Sequence, residues 1–174
     1  MNQGLDRLDL GRHRDLEGRG HEPWIRRIGL ALLVGFLALA LANVFGQRQA
    51  TTAATSPAAS LSVSSPSRLR GGLLFTSRFT VLAHRTIARP TLVLDRGWFE
   101  QMTFNAIAPN PMSQSTQNGK VTLTFARMEA GQTLVVWISW QVDPTNVGRR
   151  SEDVGLQDGP RGLAGIHRTI TIYP

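Results

Sequence analysis

Twenty consecutive residues without a charge, IGLALLVGFLALALANVFGQ at positions 28–47, constrain this 174-residue chain more than any other feature. Fifteen of them are aliphatic or phenylalanine. As a helix rising about 1.5 Å per residue, such a run reaches about 30 Å, the thickness of a bilayer's hydrocarbon core. Arg26 and Arg27 stand before it, Arg48 after it, and Trp24 falls where an amphipathic ring sits at headgroup level. Pro23 suits the first turn of a helix, where its missing N–H costs nothing. The expectation is one transmembrane helix over 28–47. Arg12, Arg14, Arg19, Arg26 and Arg27 precede the span, so the positive-inside rule places the N-terminus in the cytoplasm and the C-terminal part outside the cell membrane. A cleaved signal peptide ending at Ala40-Leu41-Ala42 competes, but a 27-residue leader with five acids is a poor n-region.

Ala31, Gly35, Ala38 and Ala42 recur at spacings of 4, 3 and 4 and so share one helix face. Small side chains let another backbone come close, which makes these four the candidate helix-packing residues, for a homodimer or a second membrane protein.

The flanks differ in kind. Residues 1–27 mix six Arg with five acids and four Gly, and read as a disordered cytoplasmic tail. His13 and His21 there lack a metal-ligand spacing. Sixteen of the 18 residues at 50–67 are Ala, Ser, Thr or Pro, so residues 48–70 read as a flexible linker.

From residue 71 to 174 the period changes to two. Phe75, Ser77, Phe79 and Val81 alternate with Thr76, Arg78 and Thr80. Asn118-Gly119 is a hairpin signal ahead of Val121, Leu123 and Phe125. The longest strand, 133–142, carries Leu134, Val136, Ile138, Trp140 and Val142 on one face. Seven to nine short strands with turn residues between them predict an all-β, antiparallel β-sandwich outside the membrane.

Residues 119–142, GKVTLTFARMEAGQTLVVWISWQV, followed by Asn146-Val147-Gly148 and a closing ITIYP strand, resemble the second half of bacterial immunoglobulin-like cell-surface domains. The resemblance covers about a third of the chain. It implies an immunoglobulin-like sandwich that binds, spaces or assembles, and it supplies no catalytic residues.

The chemistry points the same way. With no cysteine there is no disulfide framework and no thiolate site. Gly-x-Ser-x-Gly, His-Glu-x-x-His and Gly-x-x-x-x-Gly-Lys motifs are missing. His84 and His167 sit opposite apolar strand faces, and Asp95 with Glu100 are turn acids. Glu152, Asp153 and Asp158 are the nearest approach to a calcium cluster, but Arg149, Arg150 and Arg161 crowd them. No metal and no cofactor are expected. The net charge of +7 is dispersed along the chain, without the dense basic block that phosphate tracking uses, so nucleic acid is not an expected partner.

Two readings follow: a membrane-anchored, non-catalytic binding or accessory module for a protein or envelope partner, or a structural spacer docked on a membrane complex through its helix. For the first, Trp137 and Val135 point away from the core face of their strand. With Trp98 and Phe99 in the loop after Asp95, they are the candidate partner-binding residues.

Overall fold

The computed structural model describes residues 22–41, residue 47 and residues 49–174, which divide into two compact units, one up to Phe45 and one from Gly46 onward. The described residues of the first unit are one helix, α1 (Glu22–Leu41). Its large apolar side chains, among them Trp24, Leu32, Phe36 and Leu41, are exposed. No helix among the described residues is long and apolar enough to cross a membrane. The physical reason is length: the charge-free part of α1, residues 28–41, is 14 residues, about 21 Å against about 30 Å of hydrocarbon. Positions 42–46 of the expected span lie outside the described residues, as does the expected tail up to residue 21.

The second unit is all β. In chain order it comprises β1 (Gln49–Thr55), β2 (Ala59–Pro66), β3 (Arg68–Arg70), β4 (Leu74–Ala83), β5 (Pro90–Leu94), β6 (Met102–Ala108), β7 (Ser113–Gln117), β8 (Lys120–Thr124), β9 (Thr133–Val142), β10 (Gly148–Ser151), β11 (Val154–Asp158), β12 (Arg161–Ile166) and β13 (Thr169–Tyr173). One five-stranded sheet has the order β1-β2-β4-β9-β6 and a second the order β12-β11-β5-β8-β7. A three-stranded sheet, β10-β13-β3, completes the set. All pairings are antiparallel except β13 with β3. The inward residues of the three sheets merge into one apolar core, which makes the unit a β-sandwich.

The strands form where alternation demands it. In β9 every second residue from Val136 to Val142 is buried, and β4 matches it with Phe75, Ser77, Phe79, Val81 and Ala83. Asn118 and Gly119 both take positive φ, 52° and 73°, the geometry of a two-residue hairpin turn whose twist suits the flanking strands. Gly131, also at positive φ, turns the chain into β9.

The linker expected at 48–70 is overturned. Residues 49–55, 59–66 and 68–70 are strands, and the sandwich begins at residue 49 rather than 71. Leu61 and Val63 are fully buried in β2, whose seven-residue pairing with β1 is continuous. β2 lies between β1 and β4, and its inward positions are Ala59, Leu61, Val63 and Ser65, so two aliphatic side chains fasten a strand otherwise made of small residues. Its Ser65 hydroxyl is buried too, satisfied by Ser77 Oγ at 2.8 Å.

Candidate functional site

The outer face of the β1-β2-β4-β9-β6 sheet can be read off its register. One row across it runs Thr51, Ser64, Arg78, Trp137 and Ala108. The next runs Ala53, Ser62, Thr80 and Val135. Hydroxyls and methyl groups therefore make a face of short side chains, from which Trp137 projects. Trp137 is 47% exposed and Val135 36%. The guanidinium of Arg78, directly across from Trp137, lies 5.4 Å from the indole centroid, close enough for a cation–π contact that holds the ring in place. Leu82 is exposed on the same face of β4.

Trp98 does not belong to this face. It is fully buried, with ring centroids 5.4 Å from Phe79 and 5.5 Å from Trp140, and its Nε1 donates to Asp153 O at 3.2 Å. Residues 96–98 form a single 3-10 turn capped by the Asp95 carboxylate, which accepts from Arg96 N and turns the indole inward. Phe99 is half-buried and packs edge-on against Trp140 at 5.3 Å. The expected pairing of Trp98 and Phe99 with Trp137 in one surface patch is corrected accordingly: those two rings belong to the core.

The helix-packing candidates Ala31, Gly35 and Ala38 are exposed on α1, and a side chain added at Gly35 would meet nothing within 4 Å. Ala42 lies outside the described residues.

The titratable residues singled out by the sequence are dispersed. His84 Nε2 is 2.8 Å from Ser60 Oγ, and His167 Nδ1 is 2.7 Å from Asp153 Oδ2. Asp95 accepts from Ser151 Oγ, while the Glu100 backbone carbonyl accepts from Asn146 Nδ2. Of the three acids weighed for calcium, Asp158 accepts from Arg89 N, Asp153 pairs with His167, and Glu152 is buried elsewhere. No three His, Asp or Glu among the described residues stand where they could share a metal ion. A hollow of about 410 Å³ opens beside Pro109, Met112, Phe125, Met128 and Leu134, and a smaller one of about 260 Å³ lies beside Asp95, Lys120 and His167.

Sequence reasoning missed one charged pair. Glu152 is wholly buried, with Oε2 3.2 Å from Arg168 Nε, yet neither atom is aligned for a hydrogen bond. Burial pushes the Glu152 carboxyl up to about 8, and the attraction of Arg168 offsets only part of that. Arg168 Nη2 also donates to Ser65 O and Pro66 O, and so ties β2 to the turn before β13. The signal in the sequence was weak: Glu152 stands beside a second acid, Asp153, and nothing local distinguishes the buried carboxyl from the more exposed one.

No protein-family model matches the chain, and no curated protein matches it. Among solved structures, the chain is similar to a non-cellulosomal cohesin from the hyperthermophilic archaeon Archaeoglobus fulgidus, at 12% identity and a TM-score of 0.44, covering 71% of this chain and 91% of that one. It is also similar to the CARDB domain of a Pyrococcus furiosus protein, solved in complex with di-metal ions, at 12% identity and a TM-score of 0.41, covering 68% of this chain and 96% of that one.

Proposed function

We propose that the chain is a non-catalytic binding or accessory module, an immunoglobulin-like sandwich that offers the outer face of its β1-β2-β4-β9-β6 sheet to a protein or envelope partner. One observation carries this reading. Trp98 and Trp140 are fully buried in the sandwich, whereas Trp137 is about half exposed beside Val135 and Arg78. A large, stiff ring left in water on a face of short side chains is the kind of anchor that interfaces use. In this reading the apolar run at residues 28–47 holds the module on the outer side of a cell membrane with the N-terminus in the cytoplasm.

Trp137→Ala tests the face. Crosslinked partners recovered from cells should disappear while the melting temperature stays within a degree or two of wild type, a change of well under about 1 kcal/mol. A stability loss of about 3–5 kcal/mol would instead make Trp137 a structural residue. The anchor is tested separately. The full chain should stay with membranes in alkaline carbonate, and a reporter after Pro174 should be active only outside the cytoplasm. The spacer reading, with α1 docked on another helix, is favoured by the open small-residue face. It requires Gly35→Leu, and not Trp137→Ala, to remove the partner.

A further inference from the structure

The three-stranded sheet β10-β13-β3 has an outer face unlike the rest of the sandwich. Ile170, Ile172 and Leu69 point into the core, so their neighbours point out. The register places Arg149, Thr171 and Arg68 in one row and Tyr173 beside Arg70 in the next. Arg149 and Arg68 are thus two strand spacings apart, roughly 10 Å, and Arg70 follows Arg68 by roughly 7 Å along β3. All three arginines are exposed, and none makes an ion pair among the described residues. None of the three strands contains an acid. Two neighbouring acids are already engaged, Asp143 by the N–H and hydroxyl of Thr145, and Asp95 by Ser151 Oγ and Arg96 N. Tyr173 and Val147, each 47% exposed, add an amphipathic ring and an aliphatic group to this face.

The position of this face matters as much as its charge. β1 begins at Gln49, which pairs with Pro66, and Pro66 is two residues before Arg68. The chain therefore joins the sandwich at the edge where β3 starts. With residue 47 as the end of a membrane anchor, only Arg48 lies between it and β1, a reach of about 7 Å.

We propose that the β10-β13-β3 face docks on anionic lipid headgroups, with Arg68, Arg70 and Arg149 pairing phosphates and Tyr173 seated at headgroup level. The proposal rests on the anchor reading for its geometry. Guanidinium forks pair phosphate bidentately, and a tyrosine ring with one wet end belongs at the membrane interface. Docking would lay the module against the bilayer and fix which way the Trp137 face looks.

The full-length chain in nanodiscs tests this by amide hydrogen exchange, with phosphatidylcholine alone compared against phosphatidylcholine mixed with phosphatidylglycerol. Segments 68–70, 147–151 and 169–173 should be slower to exchange in the anionic discs, and high salt should abolish the difference. The variant carrying Arg68→Gln, Arg70→Gln and Arg149→Gln should lose that protection while Leu61 and Val63 amides in the core keep theirs. Equal exchange in both lipids, or protection that survives the triple variant, overturns the proposal. Protection by polyglutamate in neutral discs, with none from anionic lipid, also overturns it and points to an acidic protein instead. If the chain is retained in neither disc, the anchor reading fails by itself. Flotation with preformed vesicles then decides the face: binding to the anionic vesicles that falls about a hundredfold in the triple variant upholds it, and no binding overturns it.

Discussion

The indole rings of Trp98 and Trp140 stand 5.5 Å apart, centroid to centroid, and Trp140 also meets Phe75, Phe99 and Phe104. Trp98 reaches this cluster from a 3-10 turn and Trp140 from the C-terminal part of β9. Both are fully buried, so truncating either leaves a cavity that rigid strands cannot collapse to fill. Trp98→Ala should therefore cost about 3–5 kcal/mol in urea unfolding, against well under about 1 kcal/mol for Trp137→Ala. Similar costs for the two would mean that burial does not separate their roles.

The turn that delivers Trp98 has no room for a larger residue. A Cβ at Gly97 would overlap Ser151 O, a backbone atom at the end of β10. Gly97→Ala must push the turn away from that strand and drag the indole with it. The expected loss is about 3 kcal/mol or more, seen as a lowered melting temperature. Gly131 offers a control, because its added Cβ meets nothing and only its positive φ of 84° opposes the change, at about 1–2 kcal/mol.

Much of this architecture is legible in the sequence, and the failures have physical causes. β4, β8, β9 and β13 announce themselves because large apolar residues alternate with polar ones, and Asn118-Gly119 supplies the turn between β7 and β8. β1, with the sequence QATTAAT, shows no such contrast, since Ala and Thr differ too little in hydrophobicity to mark a face. β2 did carry the mark: Leu61-Ser62-Val63 alternates, but the surrounding Ala, Ser and Pro read as a flexible tether. Trp98 was misplaced because a capped single turn leaves no periodic trace, so an indole after Asp95 looked like a loop residue. The outward direction of Val135 and Trp137 followed from period two alone. Arg78 beside Trp137 needed the β4-β9 register, which no local pattern contains.

The strand character of 59–66 has a direct test. Leu61 is fully buried, so Leu61→Ala should cost about 2–5 kcal/mol. A residue in a flexible linker would change stability by no more than about 0.5 kcal/mol. Limited proteolysis adds a second readout: native protein should resist cleavage between residues 49 and 66, where a tether would be cut first. Rapid cutting there would return the segment to a linker.

The buried carboxyl of Glu152 makes stability depend on pH in a definite direction. Its pKa is about 8 in the folded chain against an ordinary 4.5, because burial disfavours the charged form more than Arg168 favours it. Between these values the folded protein holds a proton that the unfolded chain has released. Stability is then full below about pH 4.5 and declines as the pH rises through 8. Glu129 and Asp143 act at the other end. Hydrogen bonds from Thr86 and Arg127 hold Glu129 below the usual range, and bonds from Thr145 do the same for Asp143, so their contributions are lost only as the pH falls through those lowered values. Glu152→Gln keeps the shape of the side chain and removes its ionisation. Urea midpoints for the wild type should fall steadily from pH 5 to 8.5, and those of the Gln variant should stay level over the same range. A decline that persists unchanged in Glu152→Gln would place its source in another group.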